Sequence, residues 1–263
     1  MLEKVLNMKR NKEKIVMVTC YDATMAKIMS ESDIDIFLVG DSVGMTKLGY
    51  KNTLSVTMED MIRHTQAVSR GTNKNKVALV TDMPYKSYED SVSLAVENAK
   101  KLIFAGADMV KLEGGSEIIE SVKAIIGEGI KIVGHLGLMP QSIEKMGGYK
   151  VQCRDEESQK KLLEDSLLLQ KTGVSMIVLE GIPETIAKNV TKKLDIPTIG
   201  IGAGRFCDGQ VLVSDDMLGM FTEFTPKFVK KYANLAQVIQ QAAKQYSKEV
   251  KEGIFPQEGN TYK

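Results

Sequence analysis

A closed (β/α)8 barrel in a single domain is the fold this sequence predicts, and three observations carry that expectation. Short apolar runs alternate with amphipathic helical stretches about eight times along the chain, the rhythm of a parallel α/β sheet. The length, 263 residues, matches the ~250 typical of such a barrel. Several apolar runs also end on a carboxylate, as in Val39-Gly-Asp41, Leu112-Glu113-Gly and Leu179-Glu180-Gly. Strand exits of this kind face the mouth of a barrel, where its chemistry is done.

In chain order, residues 1–10 predict a short amphipathic helix with Leu2, Val5 and Leu6 on one side. Residues 15–19 read as the first strand, and Asp22 as the N-cap of a helix over 23–30. The apolar run 36–39 is the second strand, followed by a long loop over 45–56. Thr57 caps a helix ending near Arg70, with Gly71 as its stop. Strand 77–81 runs into Asp82-Met-Pro, and a helix over 87–105 ends before Gly106. Strand 109–112 runs into Glu113-Gly-Gly, helix 116–126 follows, and strand 130–133 runs into Gly134-His-Leu-Gly.

Residues 139–155 are expected as an irregular insert, then a helix over 156–171. Strand 176–179 leads to Glu180, and Pro183 suits the first position of a helix reaching 194. Strand 197–201 precedes Gly202-Ala-Gly204, and 210–213 is the eighth strand. Residues 205–209 are too few for a crossover helix, which with its loops takes ~10 or more residues. Either the last unit is degenerate or the eighth strand lies elsewhere. A helix over 226–250 and an extended tail from 253 complete the chain, read as one domain with a C-terminal helical extension.

Composition narrows the function. The 43 % hydrophobic content supplies a core, and a net charge of +1 gives no basic face for nucleic acid. Cys20, Cys153 and Cys207 form no C-x-x-C pair, so neither a disulfide framework nor a zinc site is expected, and a cytoplasmic setting is. No secretory signal is expected at the N-terminus, and no apolar run reaches the ~20 residues of a membrane helix. The 15 methionines read as core filler.

The polar residues at strand exits are Asp41, Ser42, Asp82, Lys111, Glu113, His135 and Glu180. Alone, each has an ordinary reading: a cap, an ion pair, a structural histidine. Placed together at successive exits, they point to a site. Asp41, Asp82 and Glu113 would repel one another in a partly dry pocket, and a hard divalent cation removes that cost. All-oxygen donors favour Mg²⁺ or Mn²⁺, which keeps waters and takes one or two direct carboxylates. Gly200-Ile-Gly-Ala-Gly204 reads either as a phosphate-binding turn or as close backbone packing at a tight exit.

Several strings are specific. Gly40-Asp-Ser-Val-Gly-Met45, His64-Thr, Lys111-Leu-Glu-Gly-Gly115, Gly134-His-Leu-Gly-Leu-Met-Pro-Gln-Ser142, Gly147-Gly-Tyr-Lys-Val-Gln152, Glu180-Gly-Ile-Pro183 and Ile199-Gly-Ile-Gly-Ala-Gly204 with Asp208-Gly-Gln210 resemble the 3-methyl-2-oxobutanoate (ketopantoate) hydroxymethyltransferase family. The likeness runs in order from about Lys14 to Pro256. It implies a (β/α)8 barrel that transfers a hydroxymethyl group from 5,10-methylenetetrahydrofolate to 3-methyl-2-oxobutanoate in pantothenate biosynthesis, through a Mg²⁺-stabilised enolate. It implies one Mg²⁺ per subunit on Asp41, Asp82 and Glu113, and 2-oxo acid contacts at Asp41, Ser42, Asp82 and Lys111, with His135 in the pocket. Glu180 is the implied proton acceptor, and a cytoplasmic homodecamer the implied assembly. Cys153 and Asp155 stand where the family usually has glycines, and Asp215 where many members have His. Two rivals use the same residues: a Mg²⁺-dependent 2-oxo acid lyase or aldolase of the isocitrate lyase and phosphoenolpyruvate mutase group, and a non-catalytic metal- or anion-binding barrel.

Overall fold

A computed structural model of the chain describes residues 1–143, 147–148 and 150–262. Eight parallel strands close into a barrel in chain order: β1 (Ile15–Thr19), β2 (Ile36–Val39), β3 (Ala78–Asp82), β4 (Met109–Glu113), β5 (Lys131–Gly137), β6 (Met176–Glu180), β7 (Thr198–Ile201) and β8 (Gly209–Leu212). Parallel pairing of β8 with both β1 and β7 completes the closure. The barrel is therefore as expected, and the eighth strand lies one residue earlier than the sequence placed it. No helix separates β7 from β8, so the last unit is the degenerate one.

The helices are α1 (Leu2–Asn7), α2 (Ala23–Met29), α3 (Val43–Thr46), α4 (Met58–Gly71), α5 (Val92–Phe104), α6 (Ile119–Gly127), α7 (Glu156–Thr172), α8 (Glu184–Lys193), α9 (Ser214–Met217) and α10 (Leu235–Lys251). Asp22 caps α2 by accepting from Met25 N, and Thr57 caps α4 in a reciprocal box with Asp60. Asp155 caps α7 by accepting from Ser158 N.

Several expected boundaries need correction. Gly71 is the last residue of α4 rather than a left-handed stop; a Cβ there would come within 2.2 Å of Ala23 O, so the glycine allows α4 to approach the start of α2. α5 begins at Val92 with Ser91 as its cap, because residues 83–90 turn through Met83-Pro84 first. Pro183 is the N-cap of α8, not its first helical residue. Residues 226–234 are not helical, and α10 starts at Leu235. The loop expected over 45–56 contains the end of α3 and a 3-10 turn, Thr53–Ser55.

The chain divides into two compact units, Met1–Val213 and Ser214–Lys263. The first holds the barrel. Its inward face is apolar at the N-terminal end, where Ile15, Met17, Ile36, Ala78, Met109, Val133, Met176 and Ile199 form one cluster with Val5 and Met8. Leu2 and Leu6 of α1 pack on this cluster, so the amphipathic face read from the sequence plugs that end. In the second unit, α10 buries none of its residues, and Val238, Ile239 and Tyr246 are exposed. Among the described residues, no helix is long and apolar enough to cross a membrane.

Candidate active site

Strand periodicity builds the site. Side chains two apart share a face, so Ala78, Val80 and Asp82 point inward from β3, as do Met109, Lys111 and Glu113 from β4 and Met176, Val178 and Glu180 from β6. Val133 and His135 do the same on β5. His135 therefore lies within its strand, not after it, because β5 runs on to Gly137. In each case the inward set changes from apolar to charged as the strand approaches the mouth. Register then sets opposite charges side by side: Asp82 is level with Lys111, and Glu113 with His135.

The result is one buried, connected cluster. Lys111 Nζ lies 3.0 Å from Asp82 Oδ1 and 3.8 Å from Glu113 Oε1. His135 Nδ1 is 3.1 Å from Glu113 Oε1 and 3.3 Å from Lys111 Nζ. On its other side, His135 Nε2 lies 3.2 Å from Glu180 Oε2, an ion-pair distance without the alignment of a hydrogen bond. Asp41, in the turn after β2, donates its backbone N–H to Asp82 Oδ2 at 3.1 Å. Ser42 Oγ lies 2.8 Å from Tyr21 OH. A Cβ on Gly40 would sit 2.9 Å from Ser42 Oγ and 3.7 Å from Asp82 Oδ2, so the bare glycine lets these two groups draw together.

Electrostatics follow from burial and charge count. Burial, with repulsion from Asp82 and Glu113, pushes Asp41 up to about 8. Burial also raises Asp82, opposed by Lys111. Burial would raise Glu113 too, but His135 and Lys111 outweigh it and hold this carboxyl low. Burial works against the Lys111 ammonium, yet Asp82, Glu113 and Asp41 together raise it. Burial and Lys111 likewise oppose the His135 imidazolium, but Glu113 and Glu180 prevail and lift it to about 9. Four carboxyl groups thus face two cations, leaving two acidic sites uncompensated.

That surplus, on oxygen donors in a dry pocket, suits a hard divalent cation. Among the described residues, however, no three His, Cys, Asp or Glu side chains are set closely enough to cage one by themselves. Lys111 stands between Asp82 and Glu113, and each Glu113 oxygen already has a partner, Oε2 accepting from Gln141 N at 2.9 Å.

All seven expected residues lie at this end of the barrel. Two more were not read from the sequence. Gln141, in the turn Pro140–Ser142 after β5, donates through Nε2 to Asp41 Oδ2 at 2.8 Å. Tyr88 donates its hydroxyl proton to Gln141 Oε1 at 2.7 Å and accepts from Glu113 N at 3.1 Å. Pro140-Gln-Ser142 after a histidine strand was a visible turn signal; nothing local marked Tyr88. The glycine turn after β7 shows close packing instead of an open cradle. A Cβ on Gly204 would meet the Glu184 side chain at 2.4 Å, and Glu184 Oε1 accepts from Arg205 N and Nε.

Comparison with known proteins agrees with the motifs. A family profile described as "Ketopantoate hydroxymethyltransferase" matches residues 1–258. A 3-methyl-2-oxobutanoate hydroxymethyltransferase of Clostridium kluyveri is 56 % identical over 257 residues, covering 97 % of this chain and 91 % of the relative. One from Syntrophus aciditrophicus is 51 % identical over 259 residues, covering 98 % and 94 %. Among solved structures, a phosphonopyruvate hydrolase superposes with TM-score 0.64 at 8 % identity, covering 100 % of this chain and 90 % of its own. A 2,3-dimethylmalate lyase of the PEP mutase/isocitrate lyase superfamily gives 0.62 at 14 % identity, covering 99 % and 90 %. At such identities these two show a shared fold. The full-length match of profile and relatives shows more: this chain belongs to the ketopantoate hydroxymethyltransferase family.

Proposed function

We propose that the protein transfers a hydroxymethyl group from 5,10-methylenetetrahydrofolate to 3-methyl-2-oxobutanoate, giving 2-dehydropantoate for pantothenate biosynthesis. The observation that carries this reading is the buried cluster at the mouth, in which Glu180 stands across His135 from the acids of β3 and β4. Glu180 is the base that removes the C3 proton of the keto acid. It is only partly buried, at the rim of the pocket, and the imidazolium of His135 beside it fixes its position. Lys111 and Ser42 hold the substrate carboxylate, with Asp41 and Asp82 beside the 2-oxo group. The C3 carbanion takes the one-carbon unit from the folate, water supplies the hydroxyl oxygen, and tetrahydrofolate leaves.

Asp41, Asp82 and Glu113 are the acids that would hold one Mg²⁺ per subunit. Mg²⁺ usually keeps waters and takes one or two direct carboxylates, so at least one of these acids would act through water. Bound there, the ion would supply Lewis acidity for the charge that develops on the 2-oxo oxygen. The exposed apolar face of α10 supports a homo-oligomer, which we take to be a cytoplasmic decamer. The test is an assay with keto acid, methylenetetrahydrofolate and Mg²⁺. Folate-dependent formation of 2-dehydropantoate is expected. Cleavage of 2-oxo acid adducts without folate would favour a lyase instead.

A further inference from the structure

Gln141 joins two of the proposed metal-binding acids through two different donors. Its backbone N–H reaches Glu113 Oε2 at 2.9 Å, and its side-chain Nε2 reaches Asp41 Oδ2 at 2.8 Å. These acids come from β4 and from the turn after β2, far apart in the chain. The amide can adopt only one orientation. Met83 O can only accept, so the amide nitrogen faces it and Oε1 takes the other side, 2.7 Å from Tyr88 OH, whose one proton has Gln141 Oε1 and, at 3.1 Å, Glu113 O within reach. Nε2 then faces two acceptors, Asp41 Oδ2 and Met83 O at 2.8 and 2.9 Å. The whole group is buried.

The same stretch is tied to the base. Leu138 N donates to Glu180 O at 2.8 Å, and Gln152 N donates to Gly181 O at 2.8 Å. Both legs of the segment carrying Gln141 are thus fastened to the exit of β6, while Gln141 itself reaches the acids.

We propose that Gln141 is a positioning residue which, with Tyr88 behind it, turns Asp41 toward a divalent cation and holds Glu113 in place beside it. Neither Gln141 nor Tyr88 touches substrate or ion. Gln141 fixes the rotation of Asp41 directly and Tyr88 does so through Gln141, the task of outer-sphere partners at metal sites. This inference rests on the assignment of Asp41 and Glu113 to a metal, and the experiment separates the two claims.

Mg²⁺ is titrated calorimetrically into the chelator-stripped full-length chain, alongside Gln141→Met and Tyr88→Phe. Met keeps the length and burial of Gln and the backbone bond to Glu113, but removes the donor to Asp41. Gln141→Met should weaken Mg²⁺ binding ~10–100-fold, the range for loss of an outer-sphere partner, and Tyr88→Phe should weaken it less in the same direction. In keto acid C3 proton exchange at fixed subsaturating Mg²⁺, the loss should be recovered by raising Mg²⁺. Wild-type chain that binds no Mg²⁺ overturns the metal assignment and this proposal with it. Wild type that binds, with both variants binding equally well, overturns the role of Gln141 alone, whatever happens to their melting temperatures. If Gln141→Met does not fold, Gln141→Asn, one carbon too short to reach Asp41, gives the same reading: equal affinity refutes, weakened affinity supports.

Discussion

The two ends of the barrel are built from the same strands and do opposite things. At the N-terminal end, Met109, Val133 and Met176 meet Val5 and Met8 in one apolar cluster. At the other end, one pleat or two further on, the same strands present Lys111, Glu113, His135 and Glu180. Burial stabilises the first end at about 25 cal/mol per Å² of apolar surface. At the second end burial is a cost, visible in Asp41 and Asp82 being raised and in two acids left without a cation. Stability is gathered at one rim, and the other is free to hold a strained arrangement of charge.

Changes at the mouth should therefore alter chemistry far more than stability. Glu180→Gln is expected to keep keto acid binding while slowing C3 proton exchange by about 10²–10⁴-fold, the usual worth of a positioned base, as read by NMR in deuterated water. Full exchange in that variant would remove Glu180 from the role. Changes at the plug should do the reverse. Val5→Ala removes two buried methyl-sized groups and is expected to cost about 2 kcal/mol in urea denaturation, with C3 exchange unchanged in the folded enzyme. A large loss of exchange per folded molecule would break the division between the ends.

A pH series sharpens the contrast. In the metal-free chain Asp41 is raised from 3.8 to about 8 and His135 from 6.5 to about 9. Both folded values lie above the unfolded ones. Their stabilising contribution is complete below pH 3.8 and 6.5 respectively, and is lost as pH rises through about 8 and about 9. The melting temperature should fall over that window, by about 2–4 °C for each kcal/mol lost. Mg²⁺ should offset the Asp41 share, so the gain in melting temperature on adding the ion should be larger at pH 8 than at pH 5. A gain independent of pH would show that Asp41 is not where the ion binds.

The smallest effect is expected just past the second leg, at Cys153. Cys153 holds φ +56°, the left-handed region that favours glycine. Cys153→Gly should raise stability, by less than about 1 kcal/mol once the greater freedom of glycine in the unfolded chain is counted. A loss of stability would mean that the Cys153 side chain contributes packing worth more than the strain it carries.

Which of these features could be read beforehand follows from how far apart their causes lie. Strands β1 and β2 are bounded by local signals, and their limits match the sequence reading; Asp22 and Thr57 announce their helices by side chain alone. The strand-end acids were legible because an apolar run that stops at a charge marks an exit. The expected glycine stop at Gly71 failed because its cause is a tertiary approach to Ala23, invisible within the helix. The helix expected from residue 87 failed because Ser91, not Ser87, offers its side chain to the first turn. The turn that carries Gln141 was legible, but its contacts were not, for the same reason in larger measure: its partners are 100, 58 and 53 residues away. Residues 144–146 and 149 of the expected insert lie outside the described residues.

The central claim is that the surplus of acidic groups at the mouth exists to bind a divalent ion that acidifies the keto acid. The most direct measurement is C3 proton–deuterium exchange on 3-methyl-2-oxobutanoate without folate, before and after removal of divalent ions by a chelator. Exchange that stops on chelation and returns with Mg²⁺ is the predicted result. Exchange that continues undiminished in the stripped protein would contradict it.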